Sequence, residues 1–106
     1  MMSVLSRVAT GLLLVASVTG MRAQDPAVVY KTNCAPCHGA TGDANTPAGK
    51  VFKVPSFSSD GVLKESDEHL LTVAKNGKGA MPPWNDKISE DDLKSVIAFI
   101  HTLQKK

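Results

Sequence analysis

Apolar residues at spacings of three and four predict one clear helix near the C-terminus of the chain. The stretch begins at Ser89, a residue type that caps helices, and three acidic residues follow it, where they favour the positive N-terminal end of a helix dipole. Its apolar stripe packs one side of the helix against a core. The stripe consists of Leu93, Val96, Ile97, Ile100 and Leu103.

Two shorter helices are predicted upstream by their first residues. Asp25 can cap free backbone amides and Pro26 suits the first helical position, which predicts a helix from Asp25 to about Asn33. Ser66, followed by two acidic residues and an apolar side, predicts a second helix that stops at the "NGKG" of residues 76–79.

The stretch between the first two predicted helices reads as a long loop. From Gly39 to Gly61 it is rich in Gly, Pro, Ser, Thr and Asn. A loop of this length is uncommon in a small domain unless it serves a function. We therefore expect it to wrap a cofactor.

The N-terminal residues have the layout of a secretory signal peptide. A positive residue, Arg7, precedes an apolar run and a stretch of small residues, and the run is too short to span a bilayer. We predict a signal peptide over residues 1–23, cut after Ala23 or, alternatively, after Gly20, and a single domain over residues 24–106. The competing hypothesis is a retained anchor, which is the only case in which we expect membrane attachment. Export predicts a periplasmic location.

Charge excludes one class of partner. Residues 24–106 hold ten Lys and ten Asp or Glu, so the excess of +2 in the whole chain comes from its two N-terminal arginines. Nucleic-acid binding requires a net basic face, and a chain with balanced charges gives no reason to expect one. We expect a monomer.

The segment "CAPCH" carries the chemistry. A redox dithiol would use Cys34 and Cys37 but expects strands around it, and a zinc site would need a fourth ligand beyond His38. Covalent attachment of a c-type haem uses all three residues, since two thiols three positions apart can each bond one vinyl group and the adjacent histidine can ligate the iron. The sequence thus predicts one haem c on Cys34 and Cys37, with His38 as an axial ligand.

The second axial ligand decides between a closed and an open iron site. Met81 is the only methionine of residues 24–106, and it lies between two glycines and two prolines, in a stiff, non-helical segment 43 residues after His38. His69 and His101 are the alternative ligands, although each falls in a predicted helix. Core filling is the ordinary role of a methionine, but this setting suits a rigid arm better.

With these motifs the chain resembles a small bacterial class I c-type cytochrome. The similarity rests on four segments in order: "VVYKTNCAPCHGATGD", "VPSF", "GKGAMPPW" and "ISEDDLKSVIAFIHTL". It implies an all-α cytochrome c fold, with three to four short helices and long loops around one covalently bound haem.

The resemblance also implies roles for single residues. It makes Cys34 and Cys37 the thioether cysteines, and His38 and Met81 the axial ligands of the iron. The family also implies that the carbonyl of Pro55 accepts a hydrogen bond from the ligating histidine, and Pro47 is the rival for this role. Phe57 and Trp84 would pack on the haem. Tyr30 and Phe99 would form an aromatic pair between the first and last helices.

The function implied is one-electron transfer between redox partner proteins, without catalysis by this chain. A peroxidase-like haem oxidoreductase is the alternative, and it commonly needs a distal arginine, which residues 24–106 lack. A further alternative is an electron-accepting subunit of a larger dehydrogenase. The partners would dock on a positive rim formed by Lys31, Lys75, Lys78 and Lys87. The alternative interpretation is that these are ordinary solvated lysines. Donor, acceptor and reduction potential are not encoded in the motifs.

Overall fold

The computed structural model describes residues 23–105, and these residues fold into helices joined by loops. The predicted signal peptide therefore lies, except for Ala23, outside the described residues. The part described contains no strand, only an isolated bridge between Lys78 and Met81, and none of its helices has the length and apolar character needed to span a bilayer. The helices are α1 (Pro26–Asn33), α2 (Ala35–His38), α3 (Pro47–Val51), α4 (Asp60–Leu63), α5 (Asp67–Asn76) and α6 (Glu90–Leu103).

The three longest helices are those predicted from the sequence, and each begins at the expected cap. The Asp25 carboxylate accepts a hydrogen bond from the backbone N–H of Ala27 at the start of α1. The hydroxyls of Ser66 and Ser89 accept from the third residue of α5 and of α6, at 3.0 and 3.1 Å. Each such cap contributes about 1 kcal/mol. The all-α prediction is confirmed.

Short helices in and beside the predicted loop raise the number of helical segments in the described residues above the three to four expected. The helix α3 carries the same signals as the longer ones, because Thr46 caps it with a hydrogen bond from Gly49 N at 2.8 Å and Pro47 occupies its first position. It is only five residues long, and α2 and α4 have four each. A single turn leaves no periodic apolar pattern, so the sequence could not reveal these segments.

The core lies where α1 crosses α6. The rings of Tyr30 and Phe99 lie 5.3 Å apart between their centroids and are tilted by 52°, which confirms the expected aromatic pair. Burial of an aliphatic side chain here contributes about 1.5 to 3 kcal/mol, and a tilted aromatic pair about 0.5 to 1.5 kcal/mol more. The buried cluster consists of Val29, Tyr30, Phe57, Ile88, Leu93 and Val96.

The helix α5 packs against α6 but has no buried residue. Its apolar positions are all only half-buried: Leu70, Leu71, Val73 and Ala74. An amphipathic helix normally covers its apolar side. The described protein thus leaves that side of α5 incompletely covered, on the helix to which the segment after Met81 is bonded.

Candidate functional site

The two cysteines and the histidine lie on one helical turn. Cys34 ends α1, with its N–H donating to Tyr30 O at 2.8 Å, and it also begins α2. The N–H of His38 donates to Cys34 O at 2.9 Å. Residues three apart on a helix share a face, so the thiols of Cys34 and Cys37 lie on one side of α2. Both are free, without a disulfide.

Burial keeps the Cys34 thiol uncharged. It raises the pKa of Cys34 to about 11, and the neighbouring Cys37 adds to the increase. A redox dithiol or a zinc ligand requires a thiolate, which this environment disfavours. Residues 23–105 also contain no cluster of three or more His, Cys, Asp or Glu side chains suited to a metal ion. The dithiol and zinc hypotheses therefore gain no support.

The imidazole of His38 stacks on the ring of Phe57. The ring centroids are 4.5 Å apart and the planes meet at 15°. Burial lowers the pKa of His38, so the ring is neutral at pH 7 and keeps a lone pair for coordination. Its Nδ1 atom is buried and has no hydrogen-bond partner.

The hydrogen bond expected from His38 to the carbonyl of Pro55 is absent from the structure. Pro55 is exposed, and the neighbouring residue that turns inward is Phe57, whose N–H donates to Gly42 O at 2.9 Å. The rival Pro47 does not bond Nδ1 either, although it begins a helix that packs on α2. Phe57 covers one face of the imidazole, and the roles assigned to Pro55 and Pro47 stay predictions.

Three hydrogen bonds that the sequence did not reveal hold the loop after the motif: one to the motif itself, one to α1 and one to the end of α6. The Tyr30 hydroxyl donates to Gly39 O at 2.6 Å, within the core. The Thr46 hydroxyl donates to Cys37 O at 2.8 Å. The side-chain amide of Gln104, just after α6, donates to Phe57 O at 2.9 Å. These bonds fix the position of Phe57 and of the turn that follows His38.

Glycine is required where the loop passes closest to the motif. A Cβ atom on Gly49 would lie 2.7 Å from Cys37 O and 2.3 Å from Ala44 O, both closer than real Cβ contacts. Since both are backbone atoms, neither can rotate away. The close approach of α3 to α2 therefore depends on this residue.

Met81 lies in a rigid, non-helical turn at the end of α5. It exchanges two backbone hydrogen bonds with Lys78, at 2.9 and 3.0 Å, around a turn whose first central residue, Gly79, has φ +58°. Glycine is the usual residue at that position of a type II′ turn. The N–H of Trp84 donates to Ala74 O at 3.0 Å, which attaches the segment to the open C-terminal end of α5.

Neither alternative histidine is directed to such a site. His69 is exposed and lies 3.5 Å from a carboxylate oxygen of Glu65. His101 has Asp67 Oδ1 at 2.6 Å from its Nε2 and Gln104 Oε1 at 2.7 Å from its Nδ1. Both rings make contacts at the surface, which leaves Met81 as the preferred second ligand.

Several apolar side chains around the core and the methionine segment are only half-buried. Trp84 is half-buried and packs on the core cluster, while the Lys87 ammonium lies 5.4 Å from its ring centroid. The incompletely covered side of α5 indicates a missing partner. The half-buried residues that line the core include Cys34, Ala35, Val62, Leu71, Ala74 and Trp84. A cavity of about 400 Å³ between α5 and α6 is lined by none of the cysteines, His38 or Met81, and is not part of this site.

One member of the expected positive rim is already paired. The Lys75 ammonium lies 2.5 Å from a carboxylate oxygen of Glu90, and this contact lowers the pKa of Glu90. Lys75 therefore contributes little free positive charge. Lys31, Lys78 and Lys87 are exposed.

Comparison with known proteins agrees with this chemistry. Residues 21–100 match the family described as cytochrome c oxidase, cbb3-type, subunit III. The chain is 33% identical over 72 residues to cytochrome c6 of Leptolyngbya boryana, covering 68% of this chain and 81% of that protein. It is 27% identical over 89 residues to the cbb3-type cytochrome c oxidase subunit CcoP of Azospirillum brasilense, covering 82% of this chain and 30% of that protein.

A solved structure shares the fold. The KustC0563 c-type cytochrome superposes with a TM-score of 0.71 at 24% identity, covering 77% of this chain and 100% of that one. At this identity the likeness concerns the fold. The helices and loops described above are thus arranged as in a cytochrome c.

Proposed function

Because the chain belongs to the cbb3-type subunit III family and is a small class I c-type cytochrome with one covalently bound haem c, we propose that it is a one-electron carrier with His38 and Met81 as axial ligands. Cys34 and Cys37 are the proposed points of attachment. The observation that carries the proposal is the single turn that presents two free thiols beside a neutral imidazole. The proposed location is the periplasm, as the secretory layout of residues 1–23 indicates.

When bound, the haem supplies an iron that alternates between the ferric and ferrous states and so holds one electron. The chain's own residues set its surroundings. Phe57 fixes the plane of the His38 ring, and the hydrogen-bonded turn around Gly79 fixes Met81. A histidine and methionine pair raises the reduction potential relative to two histidines, because the thioether favours the ferrous state.

Closure of the site favours a carrier over a peroxidase-like enzyme. Residues 24–106 contain no arginine that could act beside a bound peroxide. His69 and His101 lie in surface contacts with acidic or amide side chains. A rigid methionine beside α5 is therefore better suited to occupy a coordination position than to leave it open.

A second candidate is an electron-transfer domain held by a larger oxidoreductase. The matched family and the relative from Azospirillum brasilense carry the names of oxidase subunits, and the chain spans 30% of that relative. Size-exclusion chromatography of native extracts distinguishes the candidates. A free carrier elutes near its own mass, whereas a held domain elutes with its partner.

The absorption spectrum of the purified ferric protein tests the ligand assignment. We expect the weak long-wavelength band that reports sulfur bonded to iron, and we expect Met81→Ala to abolish it while covalent haem is retained. His69→Ala serves as the matched control and should leave the band unchanged. Persistence of the band in Met81→Ala would exclude Met81 as the ligand. Loss of covalent haem in Cys37→Ser tests attachment separately.

A further inference from the structure

The last residues of α3 and the two residues after it expose two large apolar side chains between two lysines. Val51 is 72% exposed and Phe52 is 56% exposed, and the flanking Lys50 and Lys53 are exposed as well. Val28 on α1 is the other large apolar residue that is highly exposed in the described part of the chain. We call residues 50–53 the Lys50–Lys53 turn.

The backbone holds this turn in one conformation. The N–H of Phe52 donates to Ala48 O and that of Val54 donates to Gly49 O, both at 2.9 Å. Lys53 has φ +55°, a left-handed conformation that costs a residue with a side chain about 1 to 2 kcal/mol. An unbonded loop would relax from that conformation. The apolar pair is therefore presented by a fixed turn.

The charge around the turn is of one sign. Lys50 and Lys53 are the only charged residues between positions 44 and 59. Neither forms an ion pair with another described residue, in contrast to Lys75 and Lys94, which both contact Glu90. A second copy of the same surface would be repelled, whereas a surface with carboxylates around an apolar centre would be attracted.

The turn is also attached to the helix that carries the haem motif. Thr46, at the start of α3, donates its hydroxyl hydrogen bond to Cys37 O at 2.8 Å. A helix rises about 1.5 Å per residue, which places Val51 about 7 Å further along α3. A protein that contacts the turn therefore comes close to Cys37 and His38.

We propose that the Lys50–Lys53 turn is a docking surface for a redox partner protein whose own contact surface is apolar at its centre and acidic at its rim. The inference rests on the proposed one-electron carrier. Val51 and Phe52 fill the apolar centre of the partner, and the two lysines accelerate the encounter. This surface is distinct from the expected rim at Lys31, Lys78 and Lys87.

The test measures electron transfer by the haem-loaded protein. The reduced and the oxidised forms are mixed with the membrane fraction and the soluble fraction of the organism that makes the protein, and the second-order rate is recorded against ionic strength. We expect V51S/F52S to lower the rate about tenfold, the size of an interface hot spot. We expect K50Q/K53Q to lower it several-fold at low salt and to flatten its dependence on ionic strength.

Matched controls separate docking from general surface effects. Val28→Ser removes an apolar side chain of nearly the same exposure, 57%, and Lys64→Gln removes another exposed lysine. Both should stay within about twofold of the wild-type rate. Absorption spectra and rates of reduction by ascorbate should be the same in all variants.

Several outcomes would overturn the inference. Wild-type rates in both double variants would remove the docking surface and leave the electron carrier intact. A shifted spectrum in V51S/F52S would show that the haem covers Phe52. Sedimentation of the wild type, but not of V51S/F52S, with phosphatidylglycerol vesicles would assign the turn to a lipid surface. Failure of both fractions to exchange electrons with the wild type would remove the proposed function, and this inference with it.

Discussion

Replacing Tyr30 by phenylalanine removes one buried hydroxyl and keeps the ring that packs in the core. Tyr30 is 2% exposed, and its hydroxyl donates to Gly39 O at 2.6 Å. Gly39 follows the proposed iron ligand directly. The substitution therefore tests whether this bond anchors the turn after the motif to α1.

The magnitude follows from what the substitution leaves in place. The ring contacts to Phe57 and Phe99, at 6.3 and 5.3 Å, do not need the hydroxyl. Gly39 O also keeps a second donor, the N–H of Gly42 at 3.1 Å, so it is not left unsatisfied. The expected loss is thus the net value of one hydrogen bond, about 1 kcal/mol in the free energy of unfolding. In a domain of this size that lowers the melting temperature by roughly 4 to 8 °C.

A second signature comes from pH. Burial, with smaller contributions from Cys34 and Asp43, raises the pKa of Tyr30 to about 12 in the folded protein, against 10.0 for an ordinary tyrosine. The unfolded chain therefore loses this proton first as pH rises, so the contribution is complete below pH 10 and is lost towards pH 12. Tyr30 is the only tyrosine of the chain. The stability difference between wild type and Tyr30→Phe should accordingly shrink, and can reverse, over that range.

Urea unfolding of the haem-loaded protein, followed by circular dichroism at pH 7 and between pH 9 and 12, measures both effects. The control is Thr72→Val, which removes an exposed hydroxyl that donates to Glu68 O at 3.0 Å and should change stability by less than about 0.5 kcal/mol. Equal stability of Tyr30→Phe and wild type at pH 7, with parallel curves above pH 10, would refute the reasoning. A loss above about 3 kcal/mol would also refute it, because one hydrogen bond is not worth that much.

Two further substitutions test the loop and the surface. Gly49→Ala should lower the free energy of unfolding in urea by more than about 2 kcal/mol, because its Cβ would meet Ala44 O and Cys37 O. Gly61→Ala, with open space around it, should be neutral or slightly stabilising. Equal effects of the two substitutions would contradict the close approach of α3 to α2. Glu90→Gln should lower the melting temperature at neutral pH. Lys75 lowers the pKa of Glu90, so the higher stability of the wild type should disappear as the pH falls through the lowered pKa of Glu90. A difference in melting temperature that persists in acid would exclude the ion pair as its cause.

Local signals account for what the sequence predicted. Caps at Asp25, Ser66 and Ser89 determine where α1, α5 and α6 begin, and these interactions span only two or three residues. The thiols and the imidazole of the motif are also neighbours in sequence. Such features can be read from the sequence before the path of the chain is known.

Features that depend on the path of the long loop could not be predicted in this way. The hydroxyls of Tyr30 and Thr46 each meet a carbonyl nine residues away, and Gln104 meets one 47 residues away. No periodicity marks these pairs. The stacking of Phe57 on His38 has the same origin, since which group meets the imidazole face depends on how the loop turns at Lys53 and Phe57.

The two proposed axial ligands are held by different parts of the protein. His38 is tied to the core through Phe57 and through the Tyr30 bond to Gly39, both of which join the crossing of α1 and α6. Met81 is held by α5, whose apolar side has no buried residue in the described structure. A haem bonded to Cys34 and Cys37 would cover that side of α5 while attached to the other half of the site. The covalent tether would therefore serve stability as well as retention, because the group it holds would add contacts to a helix whose apolar side is only half-buried.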